Sequence, residues 1–342
     1  MKTQNILLSL VLMLVLAFSA CREVSVTTKV NPDGSFTRII TVTGEDSSEV
    51  LKTDLPFPVD ETWARLSSRD TSDSTKYIVT YTKSFRNSSD LNAEIKSDTS
   101  KYKNLEKEIS VAKKFRFFFS YLNFKEVYKC ANPFIKLDYH NYLTEEDIQW
   151  NSGLKVPVSS ADSARKNEAD DKLSAFLQES FMAEIESVLL DGIKKLNNPL
   201  LKPEDVTMYH DSVAEYFDLD KWGEDKIIDG YCELSGNDAF LLLKDIKPPL
   251  FEDLQKKYEM FLSTVLLEGY TEIVEMPGLI TATNSAMLKG NQVRWSFKPD
   301  TILVRDFEMY AESRVINYWA FVLAGVVMLT LVVMLVVKAV RK

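Results

Sequence analysis

The stretch VSVTTKVNPDGSFTRIITVT, residues 24–43, sets the fold class. Val24, Val26 and Val30 alternate with Ser25, Thr27 and Lys29, the period of two that turns one side of a strand to a core and the other to water. Asn31-Pro32-Asp33-Gly34 then supplies turn chemistry before β-branched and aromatic residues resume, so the segment reads as a β-hairpin. KYIVTYTKSF (76–85) repeats the alternation through Tyr77, Val79, Tyr81 and Phe85. FRFFFSYLNFKEVY (115–128) is apolar on both faces around Phe117, Phe118 and Phe119, which predicts a central strand. The polar run SSRDTSDST (67–75) predicts an exposed loop.

From about Ser160 the apolar period lengthens. Leu173, Phe176, Leu177, Phe181, Ile185, Val188, Leu189, Ile193 and Leu196 recur at helical spacing and predict one long amphipathic helix. Shorter helices follow at 203–217 and 250–267. Strand character returns in TEIVEM, GLITATN, NQVRWSF and TILVRDFEMYAES, punctuated by Pro277-Gly278, Lys289-Gly290 and Pro299-Asp300. Strands, helices, then strands make an α+β chain: an antiparallel sheet from the N- and C-terminal strands, with the helical segment of about 160–267 packed on one face.

The two ends of the chain carry membrane signals. Residues 1–20 read as an export signal, with Lys2 as a basic start and Ile6–Phe18 as an uncharged run too short to span a bilayer. Phe18-Ser19-Ala20-Cys21 resembles the bacterial lipoprotein cleavage pattern, making Cys21 the expected lipidated N-terminus. Trp319–Val337 is nineteen residues without a charge, about 28 Å as a helix, and 315–337 is the expected transmembrane segment. Tyr318 and Trp319 sit where interfacial aromatics belong; Lys338, Arg341 and Lys342 in the tail 338–342 orient it to the cytoplasm. The domain 21–314 is then extracytoplasmic. Two anchors with no Pro-rich or Gly/Ser-rich spacer predict that both sit in the cytoplasmic membrane, with the first and last strands as antiparallel neighbours and Val26 near Phe307 or Met309.

VNPDGSFTRIITVTG near the start and PGLITATNSAMLKGNQVRWSF near the end resemble the β-rich ends of the LppM-type domain of bacterial lipoproteins, with Gly278, Asn284, Gly290, Asn291 and Trp295 echoing its late motif. Ser285 stands where that family tends to have glycine, and 160–267 reads as an insertion. The resemblance implies an envelope domain that binds lipid, and it carries over no catalytic residue.

The net charge of −9 argues against nucleic acid as a partner. Outside the cytoplasm Cys130 and Cys232 could form a disulfide, or remain two free thiols. DLDKWGEDKIID (218–229) resembles a calcium loop through Asp218, Asp220, Gly223 and Asp229, but Trp222 stands where an oxygen ligand belongs, so a capped helix start is the expectation and no metal is assigned. His140 and His210 lack the companions of a zinc site or a hydrolase triad. The pairs Glu145-Glu146 and Asp170-Asp171 read as solvated acids. No cofactor and no catalytic residue is expected. The apolar stripe of the long helix and the face of Phe115, Phe117, Phe119 and Tyr121 read first as core and second as a lipid pocket. The chain is therefore expected to be a non-enzymatic, membrane-anchored envelope lipoprotein that binds lipid or assists envelope assembly. The alternatives are an interaction scaffold whose helical insert docks on a membrane-protein partner, and a hydrolase without a recognisable motif.

Overall fold

The computed structural model describes residues 22–341 apart from 53–54, 72, 99, 101, 104, 211 and 214–222. Residues 1–20, Cys21, Asp218, Asp220, Trp222 and Lys342 thus lie outside the described residues. The fold is α+β, as the alternating and helical periods require, but its strands divide into two sheets instead of one. The first sheet runs β3 (Ala64–Arg69), β4 (Tyr77–Phe85), β2 (Phe36–Gly44), β1 (Arg22–Val30), β7 (Tyr270–Glu275), β10 (Gln292–Phe297), β9 (Met287–Lys289). The second runs β5 (Lys107–Arg116), β6 (Phe119–Tyr128), β11 (Phe307–Ile316), β8 (Leu279–Thr283).

The sheets share one interior. From the first sheet Val24, Val26, Phe36, Ile40, Val42, Val274 and Trp295 are buried, and from the second Leu122, Phe124, Met309 and Ala311, all at alternate positions of their strands. This explains why β1 and β11 are not neighbours. Val26 pairs with Ile40 on one side and Glu272 on the other, whereas Phe307 and Met309 pair with Tyr128 and Glu126 in the second sheet. Each strand offers an apolar row to the same interior, so rows from the two sheets stack across it.

The direction of β1 also departs from expectation. It pairs in parallel with β7, Ser25 opposite Thr271 and Lys29 opposite Glu275. Beyond β7, Gly278 (φ +81) lies so close to the end of β11 that a Cβ there would stand 2.3 Å from the Arg314 carbonyl oxygen. Both β1 and β11 therefore run toward the C-terminal helix, and Arg22 starts β1 at the opposite pole, where it pairs with Glu268 at 2.6 Å. The ten residues of β11 span about 30 Å. The expectation that both chain ends meet one surface is overturned by this parallel pairing.

The helical middle joins at that same distal pole. The chain leaves the sandwich after Tyr128 and re-enters at Tyr270, and the two tyrosine hydroxyls hydrogen-bond to each other. Short helices α1 (Ser47–Val50) and α2 (Ser88–Lys96) belong to the sandwich; the lobe comprises α3 (Glu145–Asn151), α4 (Ser160–Leu196), α5 (Pro203–Thr207), α6 (Glu224–Ser235) and α7 (Glu252–Val265). The Ser159 side chain caps α4 by accepting from the Asp162 N–H, and Asn197 (φ 48) ends it in the left-handed conformation. Its apolar stripe packs inside the lobe, where Phe181, Ile185, Leu189, Tyr231 and Phe240 form a separate core. The lobe meets the sandwich at its end through Ala131 N–H to the Ile302 carbonyl (2.8 Å) and Arg305 to Glu145 (2.6 Å).

Three smaller differences have local causes. The predicted loop 67–75 contributes to β3, an edge strand exposed along its whole length, which leaves no apolar phase to read. The strand predicted from Thr301 begins at Phe307, because Pro299 opens a 3-10 turn over Pro299–Ile302. The apolar stretch 115–128 is two strands, with Phe117 and Phe118 at the turn between Arg116 and Phe119.

Candidate functional site

Two constellations stand out, one at the end of the sandwich from which the C-terminal helix leaves, one in its interior. The first is organised by Asn317, the residue between β11 and α8 (Tyr318–Val340). β11 stays paired to its last residue, Ile316 opposite Phe119, so the strand runs into the segment that sequence assigns to the span. The Asn317 amide N–H donates to the Phe118 carbonyl at 2.9 Å. Its side-chain nitrogen donates to the Arg116 and Phe117 carbonyls, each at 3.1 Å, while its oxygen accepts from the buried Ser120 hydroxyl at 3.0 Å. Four hydrogen bonds thereby splice the start of α8 onto the tip of the β5–β6 hairpin.

Aromatic rings cover the splice. Phe115 stacks on Trp319 with centroids 6.1 Å apart, and Phe117 meets the same indole edge-on at 5.7 Å. Phe118 and Phe119 flank Phe321 at 4.8 and 6.0 Å, and the Arg314 guanidinium lies 4.8 Å above Phe119. Much of this surface is nonetheless open: Phe115 is 55% exposed, Phe117 45% and Trp319 54%. Lys113, Lys114 and Arg116 on the same hairpin are exposed and form no ion pair among the described residues, although Asp33 of the β1–β2 turn feels the charge of Lys113. Of the expected interface residues, Tyr318 and Trp319 open α8, Lys338 lies in its last turn and Arg341 just after it. Within α8 only Ala320 is buried against the rest of the protein, leaving an apolar rod about 35 Å long.

The second constellation is ionic and wholly enclosed. On β2, Arg38 Nη2 donates to Glu126 Oε2 of β6 at 3.0 Å and to Glu272 Oε2 of β7 at 3.1 Å, and all three side chains are fully buried. Glu272 Oε1 accepts from the Thr28 hydroxyl at 2.8 Å, and the Tyr128 hydroxyl donates to Glu126 Oε1 at 2.5 Å. The guanidinium carbon lies over the Phe57 ring, 3.8 Å from its centroid, with Nε and Nη1 making no hydrogen bond. The Lys107 ammonium approaches the same ring at 3.5 Å and donates to the Pro56 carbonyl. Burial, with Glu126 beside it, pushes the Glu272 carboxyl up to about 8 in spite of Arg38; burial, with Arg38 beside it, pulls the Lys107 ammonium down to about 7. Burial opposes the charge of Arg38, but Glu126 and Glu272 hold it protonated.

This cluster ties the two sheets together across the place a lipid pocket between them would need. Around it the interior is filled by Trp295, Phe297, Phe124, Phe36 and Tyr102. Sequence reading passed over Arg38, Glu126 and Glu272, yet a signal was there: each sits in phase with buried apolar positions, as in Phe36-x-Arg38-x-Ile40 and Tyr270-x-Glu272-x-Val274.

The remaining sequence candidates are not brought together. Cys130, exposed after β6, and Cys232, half-buried on α6, are both free thiols, and burial raises the Cys232 thiol pKa. Gly223 is the N-cap of α6, and Asp229 lies inside that helix, accepting from Lys244 at 2.7 Å. No group of three or more His, Cys, Asp or Glu side chains able to hold a metal occurs among the described residues. His140 packs on Tyr139 and contacts Asp138 at 2.6 Å. His210 bridges Glu186 (2.8 Å) and Glu179 (3.0 Å), which raise its pKa against the opposing effect of burial. Glu145 and Glu146 are paired with Arg305 and Lys155, and Asp170 with Lys166.

No protein-family model matches the chain, and no curated protein matches it. Among solved structures, the NMR structure of the folded domain of the Mycobacterium tuberculosis LppM protein aligns over 87% of this chain and 91% of that chain, at 10% sequence identity and a TM-score of 0.29. The chain is a weak structural neighbour of that folded domain, at a level that fixes neither fold nor function.

Proposed function

We propose that this protein is a non-enzymatic envelope lipoprotein, held in the cytoplasmic membrane by α8, that carries its helical lobe about 30 Å from the bilayer on a β-sandwich. The observation that supports it is the splice at Asn317: an apolar helix, largely exposed beyond its first turn, begins within hydrogen-bond reach of the β5–β6 hairpin. The basic residues after the helix favour a cytoplasmic C-terminus. A protease added outside the cytoplasmic membrane is expected to digest the domain and leave a short protected C-terminal fragment; protection of the region around Trp150 overturns the topology. Cys21→Ala is expected to abolish labelling by a fatty-acid analogue while α8 keeps the protein in the membrane; persistent labelling means another residue carries the lipid.

A second reading assigns the lobe to a protein partner. It has a core of its own and presents Leu200 and Met208, 68% and 71% exposed, at the pole away from α8. A partner reached there is a soluble protein or a membrane protein with a tall ectodomain. Co-purification of a stoichiometric subunit with the full-length chain, and its loss on changing Leu200 and Met208 to serine, is the expected result.

A further inference from the structure

We infer that the tip of the β5–β6 hairpin is itself a membrane-contact site: Phe115, Phe117 and Phe118 seat in the interfacial layer of the bilayer entered by α8, and Lys113, Lys114 and Arg116 contact anionic lipid headgroups. The inference rests on the reading of α8 as a membrane span and adds a contact that sequence did not assign. Three independent features carry it.

The first is turn chemistry. A two-residue hairpin turn ordinarily uses Asn, Asp or Gly, which accept positive φ. Here the turn is Phe117-Phe118, and Asn197 is the sole non-glycine residue with positive φ among those described. Nothing local favours a pair of phenylalanines at the tip, and neither ring is taken into the core, so their use lies in what the tip touches.

The second is height. Asn317 fixes the tip to the first turn of α8 with four hydrogen bonds, and the rings of Phe115, Phe117 and Phe118 touch Trp319 and Phe321. Whatever depth Trp319 takes, these rings take too. A tryptophan that opens a membrane helix belongs in the headgroup layer, where aromatic rings are favoured.

The third is charge. In a chain of net charge −9, three cations crowd onto one hairpin end without a carboxylate within ion-pair distance among the described residues. Exposed rings flanked by unpaired lysine and arginine fit a surface that offers both acyl chains and phosphates. A protein partner would satisfy the rings, but the continuity of the patch with α8 leaves the bilayer as the surface already in contact.

The test uses the full-length protein in nanodiscs of mixed zwitterionic and anionic phospholipid, with p-benzoylphenylalanine in place of Phe117, Phe118, Leu329, Leu66 or Leu200 in turn. After irradiation, mass spectrometry is expected to find lipid adducts at 117 and 118, as at 329 in the middle of α8, and none at 66 on the exposed edge strand or 200 on the lobe. Lipid adducts at 329 with none at 117 and 118 overturn the inference and leave the membrane helix standing; absence at 329 as well overturns both. Anionic lipid should be over-represented in the adducts at 117, and Lys113→Gln with Lys114→Gln should reduce that excess by about fivefold per lysine removed. An excess untouched by both changes removes the headgroup part of the proposal.

Discussion

The interior and the tip of the sandwich are built from the same materials and put them to opposite uses. In the interior, Arg38 and Lys107 face one phenylalanine ring, Phe57, with Tyr128 and Tyr270 alongside; at the tip, Lys113, Lys114 and Arg116 surround Phe115, Phe117 and Phe118. The carboxylates make the difference. Glu126 and Glu272 offset the interior cations and let them be buried, whereas the tip has no such partners among the described residues and stays at the surface. A cation beside aromatic rings is thus a structural cross-link or a contact surface according to whether the fold also brings acids to it.

The comparison predicts unequal costs. Arg38→Met leaves the Glu126 and Glu272 carboxyl groups buried without their cation and hydrogen-bond donor and should lower the stability of the detergent-solubilised protein by about 3 to 5 kcal/mol in denaturant titrations. Adding Glu126→Gln and Glu272→Gln to that variant should recover much of the loss, because the acidic groups left without a partner go with them. A loss below about 1 kcal/mol for Arg38→Met would mean the cluster is no cross-link.

A pH effect of defined sign comes next. Glu272 has an ordinary value of 4.5 and a folded value of about 8, so the folded protein binds the extra proton between them and stability should fall as pH rises through that range. Lys107, ordinary value 10.5 and folded about 7, acts in the opposite sense above pH 7. His210, raised above 6.5 by its two glutamates, contributes stability that is present below 6.5 and lost as pH rises through its folded value. The denaturation midpoint should therefore drop between pH 5 and pH 7, and Glu272→Gln should make that drop smaller. An unchanged slope in the variant would place the titration elsewhere.

Smaller still is the splice. Asn317→Ala removes the side-chain bonds to Arg116, Phe117 and Ser120 and should cost about 1 kcal/mol, seen as faster amide exchange at the ends of β6 and β11 with the rest of the sandwich unchanged. Smallest is the tip: Phe117→Ser with Phe118→Ser should change stability by less than about 0.5 kcal/mol, since neither ring belongs to the core. A larger loss would make the tip a structural element like the interior.

What could be read in the sequence was whatever writes itself into a local period. The hairpin of β1 and β2 followed from alternating valines and an Asn-Pro-Asp-Gly turn, α4 from its 3.6-residue stripe, and α8 from the absence of charge. Pairings between distant strands leave no such trace: nothing in Ser25 names Thr271 as its partner, and so neither the second sheet nor the direction of β1 was legible. The Phe117-Phe118 turn was missed because it lacks the residues that announce turns, and the interior charges because each was read by its type and not by its phase. Both misses fall on the two constellations that matter most here, where local preference yields to a tertiary demand.

The parallel pairing of β1 with β7 bears on posture. Arg22 opens β1 at the pole where the helical lobe is attached, and Cys21 is one peptide bond, about 4 Å, from it, so an acyl chain there would start at that pole and not beside α8. To sink that chain into the leaflet that α8 crosses, the sandwich would have to recline, laying its long axis along the bilayer and bringing the lobe down with it. Without the acyl chain, the Asn317 splice and the proposed membrane contact of the aromatic tip would keep that axis upright. Lipidation in this molecule would then act as a tilt control, deciding how far the lobe reaches into the space beyond the membrane and leaving attachment itself to the helix.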